Sequence, residues 1–213
     1  TGDPKYKYSN GGPKPYTLTV GEDKIELSSK NLGHADVALV ATWLQRPEVS
    51  AAPVEVVVLD GNPIGLPASC EATLRDGAET SSLKDGAYAN WQGKWGKVTS
   101  SWGDGCRLSL LNQTGETNNI EAKDLDTLVA NFSDLVLPDD AFNHIKLLGE
   151  SISGVQQLSL ANCKFTSATL ATFVESVRWA NAVVASLRCG NNPGMVGKLN
   201  RYGNLETPDA HAE

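Results

Sequence analysis

The chain has 213 residues, 25 acidic against 18 basic, with a formal charge of −7 and a sequence pI near 5.0. A chain of that length can bury a core without metal or disulfide support. Its acidic balance argues against non-specific nucleic-acid binding, which needs a basic footprint, and no apolar run approaches the ~18 residues of a membrane-spanning helix.

Residues 1–16 form a Gly/Pro-rich arm in which Lys5, Lys7 and Lys14 are interleaved with Tyr6, Tyr8 and Tyr16. Two readings stand: the arm packs back over the first structural unit, or it docks on another protein with its tyrosines as anchors. Residues 17–66 hold two similar patterns. Ile25-x-Leu27-x-x-Lys30-x-Leu32 reads as a short strand and turn, and the segment 34–45 as a helix with Val37, Val40, Ala41 and Leu44 on one face. Val57-x-Leu59-x-x-Asn62-x-Ile64 returns 32 residues after Ile25.

Residues 67–122 depart from this rhythm. The stretch 67–74 is predicted to be a short helix and 76–82 a Gly/Ser/Thr-rich connector. Beyond them, Trp91, Trp95 and Trp102, the Gly103-Asp104-Gly105 turn and the β-rich run from Cys106 predict a small inserted β-meander. Residues 123–200 resume the pattern. Leu128-x-Ala130-x-x-Ser133-x-Leu135 is followed by a helix started by Asp139 or Asp140 and striped by Ala141, Ile145, Leu148 and Ile152. Leu158-x-Leu160-x-x-Cys163-x-Phe165 comes 30 residues after Leu128, with a helix capped by Thr166 and bearing Leu170, Phe173, Val174 and Val177. Leu187-x-Cys189-x-x-Asn192 follows after 29 more. Residues 201–213 are a polar tail.

These motifs resemble the L-x-L-x-x-N/C-x-L signature of the leucine-rich repeat family, and their spacing resembles its ribonuclease-inhibitor-like subtype. The resemblance implies an α/β solenoid of about five parallel strands with outer helices, interrupted by the β insertion, and it implies protein binding. Ile25, Leu27, Val57, Leu59, Leu128, Leu158, Leu160 and Leu187 are then expected inside, and Glu26, Val58, Val129, Ser159 and Arg188 on the concave surface. Trp95-Gly96 followed by Trp102-Gly103-Asp104-Gly105 also resembles a strand motif of proteins from photosynthetic algae.

Chemistry is sparse. His34, His144 and His211 sit in unrelated contexts and none is paired in sequence with a nucleophile. Asp60-Gly61-Asn62 does not continue into a calcium loop, and Gly190-Asn191-Asn192-Pro193-Gly194 lacks the Lys-Ser/Thr of a phosphate loop. Four cysteines at 70, 106, 163 and 189 have no zinc spacing. Cys163 is expected to serve its turn and Cys189 to fill the core. In an oxidising compartment Cys70 and Cys106 are the expected disulfide, anchoring the insertion to the repeats. The sequons at Asn112 and Asn131 do not establish secretion. Trp91, Trp95 and Trp102 are the core of the insertion, an exposed patch for a protein partner, or a stacking platform for a small molecule such as a sugar or pigment. No cofactor, metal or catalytic set is predicted.

The expected function is that of a non-catalytic scaffold or accessory subunit of a larger assembly, such as an organellar photosynthetic complex. The alternative is a small-molecule or carbohydrate-binding module using the tryptophans. Thr1 at the start and Met195 as the one methionine suggest a processed or partial chain, which points to import into a plastid or to secretion.

Overall fold

A computed structural model of the chain describes residues 13–112, 117–192 and 195. In chain order its elements are β1 (Lys24–Glu26), α1 (His34–Leu44), α2 (Pro47–Ala51), β2 (Val56–Val58), β3 (Thr73–Leu74), β4 (Tyr88–Trp91), β5 (Lys94–Trp102) and β6 (Gly105–Leu110). They continue with β7 (Asn118–Glu121), β8 (Thr127–Val129), β9 (Leu135–Val136), α3 (Asn143–Ser151), β10 (Gln157–Ser159), α4 (Ser167–Ser176) and β11 (Ser186–Arg188). The architecture is mixed α/β. Among the described residues, one compact unit is built from the chain up to Leu66 and from Phe142 onward, and the other from Pro67–Ala141.

The first unit centres on a parallel sheet in the order β1-β2-β10-β11. Its register is constant from strand to strand: Ile25 lies beside Val57, Val57 beside Leu158, and Leu158 beside Leu187. The apolar residue at the centre of each short strand points to one side, where Ile25, Val57 and Leu158 join Val37, Val40, Ile145, Leu148 and Phe173 from the helices in one core. Strand residues of the opposite parity, such as Lys24, Glu26 and Gln157, are exposed. Leu187 is 36% exposed because β11 is the outermost strand of this sheet, a departure from its expected burial.

The turns after the strands carry the most specific bonding. Asn62 is fully buried; its Nδ2 donates to the carbonyls of Leu27 and Leu59 at 2.8 and 2.7 Å, and its Oδ1 accepts from Leu32 N at 3.0 Å. Asn192 repeats this between the last two strands: Nδ2 donates to Leu160 and Cys189 carbonyls, and Oδ1 accepts from Cys163 N and Phe165 N. Cys163, at the matching position between them, uses its thiol as a weak donor to Leu59 O at 3.2 Å. A thiol is a poor acceptor, and Ile64 N turns instead to Asn62 O at 2.8 Å. The residue before each of these three positions (Gly61, Asn162 and Asn191), and Ser29 before Lys30 in the first turn, has a positive φ between 53° and 71°, so each turn bends in the same way. The matching of this period to stacked neighbours also explains Gly65: a Cβ there would lie 2.6 Å from Lys164 C and Phe165 N in the adjoining turn.

The copy expected at Leu128 is corrected by the structure. Strand β8 pairs antiparallel with β4 in the second unit, Leu128 opposite Ala89 and Val129 opposite Tyr88. Four strands, not five, therefore share the parallel sheet among the described residues, and β2 lies directly beside β10. Helix α3 starts at Asn143, close to the expected place, and supplies the covering helix after β2. No helix forms over 67–74, where β3 instead pairs with β9. The segment that interrupts the repeating pattern thus runs from Pro67 to Ala141, past the expected end at 122.

The second unit is a five-stranded antiparallel sheet in the order β7-β6-β5-β4-β8 with the β3–β9 ribbon beside it. Gln92 and Gly93, with φ of 52° and 77°, make the two-residue turn between β4 and β5; positive φ at both positions matches the natural twist of a hairpin. Side chains alternate between two clusters, one holding Ala89, Val98, Cys106, Leu108 and Ile120, the other Trp95, Val129 and Leu135.

Two stability outcomes follow. Asn62→Asp removes both donors to Leu27 and Leu59 and buries a charge, so it should cost more than about 3 kcal/mol at neutral pH, with part of the loss recovered in denaturant melts at acid pH where the carboxyl is protonated. Leu160→Ala, at a fully buried site, should cost roughly 2–5 kcal/mol in the same assay.

Candidate functional site

The face of the parallel sheet turned away from the core is the first candidate surface. Glu26, Val58, Ser159 and Arg188 form one row across it, each directly beside the next. Val129, expected in this row, is fully buried in the second unit beneath the ribbon; an antiparallel strand alternates with the same period of two, and its pairing decides which parity faces in. Glu26 is bonded locally, with Lys24 Nζ at 3.2 Å and Ser28 N at 3.2 Å. The Ser28 hydroxyl, helped by Lys24, holds the Glu26 carboxyl below its ordinary value. Ser159 is 6% exposed and its hydroxyl has no partner among the described residues. The row runs from an acidic end to a basic end through Val58 and Ser159, and no charged or aromatic stripe forms.

The tryptophans separate. Trp95 is 2% exposed and its indole N–H donates to Ala72 O at 2.9 Å, which makes it core. Trp91 is half-buried against the other cluster. Trp102 is 44% exposed; its indole lies against Gly105, where a Cβ would come within 2.9 Å of Nε1. The three rings do not gather into one platform, because Trp91 and Trp95 pack in different clusters. A cleft beside the ribbon is lined by Glu71, Ala72, Thr73, Val136, Leu137 and Pro138.

Of the arm, Tyr16 packs partly against the core of the first unit and donates its hydroxyl to Asp36 Oδ1 at 3.1 Å, while Lys14 N donates to Lys30 O at 2.7 Å. Burial, then the Asp36 carboxylate, pushes the Tyr16 hydroxyl up to about 12. Lys5, Lys7, Tyr6 and Tyr8, together with His211 and the tail 201–213, lie outside the described residues.

All four cysteines are free. Cys70 and Cys106 belong to one cluster inside the second unit, so a bond between them would staple that unit internally and not anchor it to the sheet of the first. Burial pushes the Cys163 thiol up to about 12 and raises those of Cys106 and Cys189, which suppresses thiolate chemistry at all three.

His144 has the most distinctive environment among the ionisable groups described. It is 4% exposed, its Nε2 is 2.8 Å from Ile64 O, and its ring meets that of His34 edge-on at 6.0 Å. A carbonyl can only accept, so Nε2 carries the proton and Nδ1 is left as a buried lone pair without a partner among the described residues. No group of three or more His, Cys, Asp or Glu is placed to hold a metal among those residues, and no described helix is long and apolar enough to cross a membrane.

Sequence reasoning missed the apolar surface around β11. Trp179 is 53% exposed, its indole N–H donating to Val174 O at 2.9 Å, and Val183 is 56% exposed. The available signal was the aromatic at 179 in a helix-to-strand connection that also carries Val183 and Val184. Compared with protein-family models, curated protein sequences and solved structures, the chain matches none.

Burial lowers the His144 pKa from 6.5, opposed by the bond to Ile64 and reinforced by His34. The unfolded chain therefore takes up a proton that the folded one refuses. Stability should be complete above about pH 7.5, fall as the pH drops through 6.5 and level off below the folded value. His144→Gln should flatten that part of a pH series of thermal melts.

Proposed function

We propose that this chain is a short leucine-rich-repeat solenoid acting as a non-catalytic scaffold or accessory subunit of a larger protein assembly. The observation that carries the reading is the repeated buried side chain after each strand. Asn62, Cys163 and Asn192 each bond back to the preceding strand or turn, which is the role that the N/C position of the repeat signature implies. A frame built this way is stiff and offers its partners fixed surfaces.

In this reading the partners are proteins, met on the second unit by Trp102 and Trp91 and on the first by the row Glu26, Val58, Ser159 and Arg188, with the arm residues Lys5, Lys7, Tyr6 and Tyr8 as additional anchors. A plastid or other organellar complex is the proposed setting. Trp95 belongs to the core of the second unit. The separation of the three rings weighs against the carbohydrate-platform alternative, which needs two faces turned to one ligand.

The test is native size fractionation of the tagged full chain in extracts of its own cells. The wild-type chain should migrate with a larger assembly. Deleting residues 1–12, or making Trp102→Ala, should shift it toward the free protein while leaving the melting temperature within about 2 °C, since surface changes cost little stability. Extending the deletion through residue 18 should additionally lower the melting temperature, because it removes the Tyr16–Asp36 bond and the packing of Leu18. Migration as a free chain in wild-type extracts would overturn the reading.

A further inference from the structure

We infer that the outer edge of β11 is a self-association surface, on which a second copy of this chain adds its own β11 in antiparallel register about Leu187. The hydrogen-bond phase of the sheet defines what the edge offers. Leu27, Leu59 and Leu160 each donate their amide to the next strand along, at Val58, Ser159 and Arg188, and Ser29, Gly61 and Asn162 do the same to Asp60, Ala161 and Gly190. By that phase the next rung is made by the amides of Cys189 and Asn191, with the carbonyl of Ala185 as acceptor, following Asp23, Glu55 and Gln156. Among the described residues no strand lies beyond β11, so this edge is a strand template, and an exposed one invites a strand.

The surroundings of the edge are apolar. Leu187 is 36% exposed, Val174 38%, Trp179 53% and Val183 56%, so most of the large exposed apolar side chains of the first unit collect on α4, on β11 and on the connection between them. The opposite end of the sheet differs: Lys14 bonds to Lys30, and Tyr16 and Leu18 pack on the core. Head-to-tail stacking of copies would have to displace that segment. Pairing two β11 strands requires no such displacement and closes on itself by two-fold symmetry.

Side-chain chemistry selects the register. Leu187, of opposite parity to Ser186 and Arg188, directs its backbone groups outward, flanked by the Ala185 carbonyl and the Cys189 amide, while the Ala185 amide is taken by Gln156 O and the Cys189 carbonyl by Asn192 Nδ2; a two-fold axis at Leu187 therefore makes Leu187 face Leu187 in a hydrogen-bonded pair. Ser186 then lies opposite Arg188 in both directions, and the two guanidinium groups are never directly opposed; like charges placed opposite each other would destabilise the pair. Four exposed apolar side chains and one short strand per copy fall short of the roughly 800 Å² per partner of a standard interface, so the dimer is a reversible one.

The inference stands on the sheet geometry and does not need the partner assembly proposed above. Sedimentation velocity of the purified full chain across the micromolar range should show a monomer–dimer equilibrium. Leu187→Lys should raise the dissociation constant at least tenfold with an unchanged circular dichroism spectrum. A mixture of Ser186→Cys and Arg188→Cys chains should form a disulfide-linked pair under mild oxidation faster than either chain alone, and that readout survives even if Leu187→Lys perturbs folding. A monomer at every concentration overturns the inference. So does protection of the Cys189 and Asn191 amides from hydrogen exchange in a monomer, which would mean that another part of the same chain covers the edge, and so does a dimer indifferent to Leu187→Lys that gives no mixed disulfide.

Discussion

The hydrogen bonds of Asn62 and Asn192 are the constraint on which the first unit depends. A turn that changes direction at each strand end leaves backbone N–H and C=O groups inside, and leaving such groups unmade costs more than making them gains. One side-chain amide has two donors and an acceptor on a short stem. Asn62 satisfies Leu27 O, Leu59 O and Leu32 N together, and thereby joins its own turn to the one before it. The same geometry at Asn192 joins the last turn to its predecessor. Strand register, turn shape and helix spacing are all held by these bonds.

Much of this was legible because each position has a chemical reason. Ile25, Val57 and Leu158 recur with their partners two residues on, and each pair is buried on adjacent strands. Cys163 and Asn192 stand where the turn needs a donor. The Leu128 segment met the same spacing by coincidence: Ala130 and Ser133 stand where the better copies have a second large apolar residue and an amide or thiol. An alternation of two marks any half-buried strand, so Leu128 and Val129 gave no sign of which sheet would take them, and pairing with Ala89 and Tyr88 decided it. Long-range pairing of this kind is invisible to local pattern.

The candidate surfaces were less legible than the frame. Trp91, Trp95 and Trp102 look alike in sequence, yet the phase of each on its strand sends Trp95 into the core, Trp91 to the other cluster and Trp102 to the surface. Tyr16 could have belonged to a free arm; Asp36, in the first turn of α1, gives its hydroxyl a reason to stay. Trp179 was overlooked because a single aromatic in a connection has no periodic neighbours to mark it.

The long interruption between Leu66 and Phe142 is tolerated for a related reason. The segment has its own apolar clusters and its own antiparallel sheet, so it carries a core of its own. Its two ends are tied together: Ala68 N donates to Ala141 O at 2.8 Å. To the chain on either side, the whole segment therefore spans the gap of a short loop, and the entropic cost of a longer closed loop grows only as the logarithm of its length. The break falls after the turn held by Asn62 and before α3, so strand β2 keeps its rung and helix α3 still delivers Ile145 and Leu148 to the core. A break inside the Leu59–Asn62 turn would have cut the bonds that set the register, and one inside α3 would have removed an apolar stripe. Between them lies the place where the repeating frame can open without losing a contact it needs.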